Sequence, residues 1–363
     1  MEMTFTTQLP PDPALYDAPA TTTKECTIYC SPLLLRWQAP SAGVTTTTGL
    51  IVVCPGGNPI NDCSRPAQYG DPAWPDTKNV VMCSVFYRNQ AFSAPYDFGK
   101  LQMGDTLRGI GRLLEIYPQL DRRRLYLFGA STGGHVSLQL LQSARHLWAE
   151  VHVHCAPTLI TTRAEAQAKY PADSFGDGLN DALKFPEQQG TLSLDQWNRF
   201  QAERALRGPQ NSMKFDLPAR SNGEYPYVWA MYGTLDQIVD IQHYRDLLAI
   251  VKSGTGTSGA QATVVGGERW QMRNWTLYTV EGGYHDYVGA NANISSYMKA
   301  TNYRIPDAFS RLRPTAPLLS VDYAFPIQFG WRFHVQGALT SATVTTEGPF
   351  TAADTDWMHP ELE

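Results

Sequence analysis

The strongest constraint on the fold comes from a serine that stands between two glycines where a strand-like segment meets a helix-like one. The apolar run Leu125–Phe128 predicts a buried strand that stops at Gly129, and a helical pattern over Thr132–Arg145 starts directly after Ser131. So abrupt a turn requires small residues such as Gly133 beside the serine, because side chains there would collide with neighbouring backbone. The turn also places the Ser131 hydroxyl at a helix N-terminus, where partial positive charge stabilises an anion.

Apolar strand-like runs alternate with amphipathic helical patterns along most of the chain. Strands buried on both faces and separated by helices are typical of an α/β protein with a mostly parallel central sheet flanked by helices. Two opening strands are expected to pair antiparallel, and the Gly-, Ser- and Thr-rich residues 253–262 are expected to form a flexible loop. Besides the strand before Ser131, the predicted strands are Cys26–Tyr29, Leu33–Gln38, Gly49–Cys54, Asn79–Val85, Glu150–Cys155, Tyr227–Tyr232 and Trp275–Val280.

Changes in composition divide the chain into four parts. Residues 1–24 form a proline-rich N-terminal segment, and residues 25–157 together with 225–300 carry the strand and helix pattern of the core. The polar residues 158–224 interrupt that pattern and predict a cap or lid insertion between two strands. Residues 301–363 are a C-terminal extension with an aromatic, extended stretch, which we expect to form strands that pack on the core or on another subunit of a homo-oligomer.

Composition and charge exclude several classes of function. A net charge of -5 leaves no basic footprint for nucleic acid and no polybasic patch for a membrane surface. No apolar run approaches the length of a membrane span. The first ten residues lack the basic and apolar regions of a signal peptide, so a cytoplasmic location is expected. Of the six cysteines, most are expected to be buried free thiols; a disulfide from Cys63 to Cys26, Cys30 or Cys54 is the alternative.

Two further polar residues follow predicted strands, as Ser131 does. Asp236 lies just beyond Tyr227–Tyr232, and His285 lies just beyond Trp275–Val280. A serine acts as a nucleophile when a histidine takes its proton and a carboxylate orients that histidine. Three residues of these types, each at the end of a strand, predict a catalytic triad.

The motifs around these residues resemble those of α/β-hydrolase-fold serine esterases, a broad group that includes carboxylesterases, acetyl esterases and the hydrolase domain of prolyl-oligopeptidase-like enzymes. The matching motifs are Gly129-x-Ser131-x-Gly133-Gly134, Gly233-x-x-Asp236 and Gly283-x-His285, in the family's chain order of serine, acid and histidine. The resemblance covers roughly residues 25–300. It implies a nucleophile elbow at Ser131, a general base at His285 and an orienting acid at Asp236, without a cofactor or a metal ion.

The resemblance also implies an oxyanion hole made of backbone N–H groups. One donor would be Thr132, directly after the serine, and the others would lie in the loop after the Gly49–Cys54 strand, at Gly57 and Asn58. Pro55 stands where the family often has histidine, and Asn58 stands where it has glycine. The side-chain amide of Asn58 is therefore an alternative donor.

Several nearby residues have competing interpretations. Asp240 is a rival to Asp236 as the acid, although its position favours a cap on the following helix. His135 is expected to pack within the helix after the elbow, and Asp286 is expected to be solvated. His152 and His154 alternate on a strand and so face one side, as two metal ligands would, but packing against the sheet is the favoured interpretation.

The function favoured by these observations is hydrolysis of a carboxylic ester, in a small molecule or a polymer. A serine peptidase and an acyltransferase would use the same three residues. A catalytically silent member that binds a ligand in the same pocket is the alternative from a different class of function.

Overall fold

The apolar runs of the predicted core form strands of one large sheet. The structure is a computed structural model that describes residues 24–28, 33–56, 70–86, 100–158, 226–255, 259–264, 267–285, 307–327, 331–341 and 343–347. Within these residues no helix is both long enough and apolar enough to span a membrane. The predicted insertion, apart from residue 158, and residues 1–23 lie outside the described part of the chain.

Ten strands of the described residues form the central sheet in the order β1-β2-β4-β3-β5-β6-β7-β10-β9-β8. From β4 to β10 along this order each strand is parallel to its neighbour, whereas the two strands at either edge pair antiparallel. The mostly parallel sheet is therefore confirmed. The strands are β1 (Lys24–Ile28), β2 (Leu33–Gln38), β3 (Gly49–Cys54), β4 (Val80–Phe86), β5 (Leu125–Ala130), β6 (Glu150–His154), β7 (Tyr227–Gly233), β8 (Ala260–Val264), β9 (Gly267–Met272) and β10 (Trp275–Val280).

Helices cover the sheet and bury its apolar side chains. The described helices are α1 (Trp74–Lys78), α2 (Lys100–Ile116), α3 (Thr132–Ala144) and α4 (Gln242–Thr255). Helix α3 packs on β3, β5 and β6, and α2 packs on β4 and on α3. Nearly every residue of α3 is buried, because this helix lies over the middle of the sheet. The central strands and α3 therefore form a rigid platform for the turn between β5 and α3.

The prediction of a flexible loop over residues 253–262 is wrong at both ends of this range. Helix α4 continues to Thr255, and strand β8 begins at Ala260. Strands β8 and β9 were missed because edge strands of an antiparallel pair need no continuous apolar pattern. Two side chains of β9 contact the rest of the protein: Met272 is buried in the core, and Trp270 lies under the Lys252 ammonium group at 3.5 Å from the ring centre.

The C-terminal extension contains a second sheet with three strands in its described part. The strands β11 (Ser320–Ile327), β12 (Trp331–Ala338) and β13 (Thr343–Glu347) pair antiparallel in chain order. β11 contacts α3, and β13 contacts α2, as does the short turn Leu339–Ser341. A methyl group at Gly111 of α2 would come within 2.7 Å of the Thr340 backbone nitrogen, so a glycine is needed for this close approach. The extension thus packs against the helices of the core.

A buried carboxylate holds the start of the extension to the core. Glu150, at the first position of β6, accepts hydrogen bonds from the backbone N–H groups of Phe309 at 2.7 Å, Ser310 at 2.9 Å and Arg311 at 2.6 Å. It also accepts one from Nε2 of His152 at 3.0 Å. A buried charge that accepts four hydrogen bonds is well compensated for its loss of hydration. Glu150 therefore fixes the turn that carries Phe309.

Phe309 should be a major contributor to the stability of the core. Its ring is 1% exposed and packs against Trp74 at 4.7 Å and His152 at 4.3 Å between ring centres. We expect Phe309→Ala to lower the free energy of unfolding by about 3–5 kcal/mol, measured by urea denaturation. Leu312→Ala is the matched control, because Leu312 lies in the same segment and is 55% exposed. A Phe309→Ala protein as stable as the control would contradict this packing.

Candidate active site

The backbone of Ser131 adopts a strained conformation. Ser131 lies between the last residue of β5 and the first residue of α3, with φ of 57° and ψ of -127°. Residues other than glycine rarely adopt positive φ, and such strain persists only where the surroundings impose it. The Ser131 N–H donates to the carbonyl oxygen of His154 at 2.8 Å, which fixes the turn to the neighbouring strand β6. The side chain is thereby held at the carboxyl edge of the sheet.

The glycines around Ser131 are required by close backbone contacts. A methyl group at Gly129 would collide with the carbonyl oxygen of Gly133, and one at Gly133 would collide with the carbonyl oxygen of Cys54 at the end of β3. A methyl group at Gly134 would lie 2.6 Å from the Cβ atom of Ala156. These contacts account for the small residues that the sequence places around the turn.

Gly133→Ala tests how closely the geometry of this turn is set. We expect the variant to lose about 100-fold in turnover of an activated ester, since a displacement of about 1 Å at a reacting group costs that much. Gly43→Ala is the control for the general cost of replacing a glycine: its φ of 86° makes alanine strained there, but nothing lies within 4 Å of the added methyl group. The measurement is steady-state turnover of the folded fraction of each variant. Wild-type turnover by Gly133→Ala would show that the contact with β3 does not set the position of Ser131.

Asp236 is held by the backbone of its own loop and in turn holds His285. Its Oδ1 atom accepts hydrogen bonds from the N–H groups of Ile238 at 2.8 Å and Val239 at 2.9 Å. Its Oδ2 atom lies 2.8 Å from Nδ1 of His285. The carboxylate is fully buried, whereas the imidazole ring keeps 18% of its surface exposed. A carboxylate can only accept, so the His285 proton lies on Nδ1 and the lone pair lies on Nε2.

The loops that carry Asp236 and His285 are bound to each other by their backbones. The Thr234 N–H donates to the carbonyl oxygen of Val280 at 3.0 Å, and the Leu235 N–H donates to that of Gly283 at 2.8 Å. A methyl group at Gly233 would collide with the Gly283 carbonyl oxygen. Gly233 is therefore needed for the loops to approach each other, and this approach brings the acid to the histidine.

The sheet brings all three predicted residues to one edge. Strands β5, β6, β7 and β10 are consecutive neighbours in the sheet and run parallel, so their carboxyl ends lie side by side. Ser131 follows β5, the Asp236 loop follows β7 and the His285 loop follows β10. Among Ser131, Asp236 and His285, the structure shows a hydrogen bond between Asp236 and His285. Ser131 lies at the same edge because its strand β5 belongs to the same run of parallel strands.

The predicted oxyanion hole is only partly described by the structure. Thr132 is the first residue of α3, where backbone N–H groups are not used by the hydrogen bonds of the helix. Gly56, at the start of the loop after β3, lies against the turn: a methyl group there would be 3.0 Å from Cβ of Ser131. Gly57 and Asn58 lie outside the described residues, as does Asp286. Their predicted roles stay predictions.

Comparison with solved structures identifies the fold. The chain superimposes on the acylaminoacyl peptidase of Pyrococcus horikoshii with a TM-score of 0.55 and 12% identity, over 86% of this chain and 42% of the peptidase. A putative dipeptidyl aminopeptidase IV from Bacteroides ovatus matches with a TM-score of 0.53 and 14% identity, over 78% of this chain and 35% of that one. This chain has the α/β-hydrolase fold. It spans less than half the length of either peptidase.

Sequence comparison adds no relative to this assignment. No family model matches the chain, and no curated protein matches it. A puromycin-hydrolysing peptidase of Mycobacterium tuberculosis is a further structural neighbour, with a TM-score of 0.51 and 12% identity over 79% of this chain and 39% of the peptidase. At such identities the likeness establishes the α/β-hydrolase fold alone.

Asp240, the rival acid, and His135, in the helix after the elbow, both have structural roles. The Oδ1 atom of Asp240 accepts from the N–H of Gln242 at 2.7 Å, at the start of α4, as expected of a helix cap. Nδ1 of His135 lies 2.9 Å from the carbonyl oxygen of Pro157, and its Nε2 lies 2.8 Å from the Gln139 amide. The predictions of a cap and of packing within the helix are confirmed.

The pair of histidines on β6 packs within the core, as favoured over a metal site. His152 stacks on Trp229 with 4.8 Å between ring centres, and His154 packs against Phe128 at 5.0 Å. Burial lowers the pKa of His152 below its ordinary value, and burial together with the neighbouring His152 lowers the pKa of His154 to about 3. Both rings are therefore neutral at physiological pH.

One residue at the site, Cys155, was not singled out from the sequence and was covered only by the expectation that most cysteines are buried free thiols. Cys155 directly follows β6 and has a positive φ of 43°, and its N–H donates to the carbonyl oxygen of Met231 at 2.8 Å. Its sulfur lies within 4.8 Å of both a carboxylate oxygen of Asp236 and a ring nitrogen of His285. The available signal was its place at the carboxyl end of a central strand, the same kind of position that selected Asp236 and His285.

Proposed function

We propose that this protein is a serine hydrolase that cleaves a carboxylic ester through an acyl-enzyme on Ser131. His285 is the general base and Asp236 is the residue that orients it. The observation that carries the proposal is the 2.8 Å hydrogen bond between Asp236 and Nδ1 of His285, at the same sheet edge as the strained Ser131. A buried carboxylate that fixes the tautomer of a partly exposed imidazole is the arrangement that makes a neighbouring serine nucleophilic.

The proposed reaction proceeds in two halves. Nε2 of His285 accepts the Ser131 hydroxyl proton as Oγ attacks the carbonyl carbon of the ester, and Asp236 stabilises the resulting imidazolium. The N–H group of Thr132 and the loop after β3, with Gly57 and Asn58 as the proposed donors, stabilise the tetrahedral oxyanion. The imidazolium then gives its proton to the departing alcohol. Water attacks the acyl-enzyme by the same steps and restores Ser131.

A peptidase is the second candidate, because the structural neighbours described above, with TM-scores between 0.51 and 0.55, are named as peptidases. A triad that forms an acyl-enzyme from an amide also forms it from the matching ester, since an alcohol leaves more readily than an amine. Ester cleavage is therefore common to both candidates, and amide cleavage separates them. The natural substrate, whether a small molecule or a polymer, would be cleaved by the same residues.

The two candidates are distinguished with substrates that share one acyl group. We expect turnover of p-nitrophenyl esters, tested from short to long acyl chains, to exceed turnover of the matching p-nitroanilides. N-acyl-aminoacyl esters and anilides extend the series to peptidase substrates. Efficient cleavage of an anilide would establish the peptidase instead. Transfer of the acyl group to an added alcohol at the expense of hydrolysis would identify an acyltransferase.

A further inference from the structure

Three different metal-binding side chains converge beside the proposed nucleophile. Sγ of Cys155, a carboxylate oxygen of Asp236 and a ring nitrogen of His285 all lie within 4.8 Å of one another. Thiolate, carboxylate and imidazole are the three kinds of ligand that proteins use for zinc, and a thiolate selects soft cations over Mg²⁺ and Ca²⁺. Cys155 and Asp236 are buried, while the exposed part of the His285 ring leaves a path for an ion from solvent.

The spacing of these atoms is close to that of a tetrahedral site. With bonds of 2.0–2.3 Å, neighbouring ligand atoms around Zn²⁺ are roughly 3.4–3.6 Å apart. Side-chain movements of roughly 1 Å would therefore complete the site. Asp236 is already oriented for this role, because the backbone N–H groups of Ile238 and Val239 occupy its Oδ1 atom and leave Oδ2 facing the histidine.

We propose that Zn²⁺, or another thiophilic divalent cation, binds to Cys155, Asp236 and His285 and thereby inhibits the hydrolase. This inference rests on the proposed function of His285. The cation takes the place of the proton between Oδ2 of Asp236 and Nδ1 of His285. The Cys155 thiol releases its proton to solvent, the His285 proton moves from Nδ1 to Nε2, and a water molecule completes the coordination.

The inhibition follows directly from the change of tautomer. Once Nε2 of His285 carries the proton, it has no lone pair with which to accept the proton of Ser131. The positive ion beside the ring also opposes formation of an imidazolium. Mg²⁺ at the same concentration should leave turnover unchanged, because its hard oxygen preference does not suit a thiolate and an imidazole.

Cadmium provides a test of binding that is independent of activity. A Cd²⁺–thiolate bond has an ultraviolet charge-transfer band, which we expect in the wild type and in Ser131→Ala at equal intensity. Cys155→Ser should lose this band. Cys83→Ser is the matched control and should keep it, because Cys83 is another buried free cysteine and lies inside β4. The same titrations in Ser131→Ala separate metal binding from hydrolysis, since that protein binds without turning over.

Zinc inhibition is then measured relative to the metal-free rate of each protein. Removing a direct ligand should raise the Zn²⁺ concentration for half-inhibition at least about tenfold in Cys155→Ser, given that even indirect partners of a metal site cost 10–100-fold. A chelator should restore the wild-type rate. Absence of the Cd²⁺ band from the wild type would overturn the metal site. Equal Zn²⁺ sensitivity of the wild type and Cys155→Ser would overturn the role of Cys155 as a ligand.

A Cd²⁺ band without Zn²⁺ inhibition would overturn the inhibitory role of the metal. A Cd²⁺ band in a protein that cleaves no substrate would instead reject the proposed hydrolase function and leave the metal site intact.

Discussion

Ser131→Ala is expected to lower turnover of an activated ester by at least about 10⁴-fold while the protein stays folded. The variant removes the atom that forms the acyl-enzyme, so only binding and the oxyanion donors remain to accelerate the reaction. The backbone at Ser131 is held by the hydrogen bond from its N–H group to His154, which alanine also makes. Stability should therefore change little, and steady-state kinetics with a p-nitrophenyl ester provides the measurement.

Ser143→Ala is the matched control for this prediction. Ser143 is a buried serine of the same helix α3, and its hydroxyl donates to the carbonyl oxygen of Gln139 at 2.9 Å, far from the elbow. Its loss should leave turnover within about tenfold of the wild type. If Ser131→Ala kept a tenth or more of the wild-type rate, water would be attacking the substrate without an acyl-enzyme on Ser131.

Asp236→Asn is expected to reduce turnover by about 10⁴-fold, through the tautomer of His285. The asparagine oxygen can still accept from the backbone of Ile238 and Val239, so the amide nitrogen would face Nδ1 of His285 and donate to it. The ring proton would then lie on Nε2, where it blocks the transfer from Ser131. The same kinetic assay measures this loss.

Asp240→Asn serves as the control for the acid, because asparagine caps a helix as well as aspartate does. We expect this variant to retain turnover close to that of the wild type. An equal loss in both variants would show that the two loops were perturbed together and that Asp236 has no separate role. A loss confined to Asp240→Asn would move the acid to that residue.

The parts of the fold that were predictable from sequence are those with local signals. Continuous apolar runs marked parallel strands such as β3, because a strand buried on both faces needs apolar side chains on both. The elbow was visible because a serine flanked by Gly129 and Gly133 stands directly between a strand and a helix. The motifs around Asp236 and His285 were visible because each follows such a strand within a few residues.

Features that depend on contacts between distant residues were not predictable. The Glu150 carboxylate binds the backbone of Phe309, 159 residues later in the chain, and in the sequence it is only an acidic residue at the start of a strand. Strands β8 and β9 lie at a sheet edge, where polar side chains carry no pattern that distinguishes strand from loop. Cys155 reaches Asp236 and His285 only because β6 and β7 are adjacent in the sheet.

Covalent labelling with a fluorophosphonate, with the modified residue located by mass spectrometry, tests the central claim most directly. The reagent reacts with a serine only when a base removes its proton, so it reports the nucleophile without the natural substrate. We expect one modified peptide with the label on Ser131 in the wild type, and no labelling in Ser131→Ala. Labelling of another serine, or equal labelling of both proteins, would contradict the assignment of Ser131 as the nucleophile.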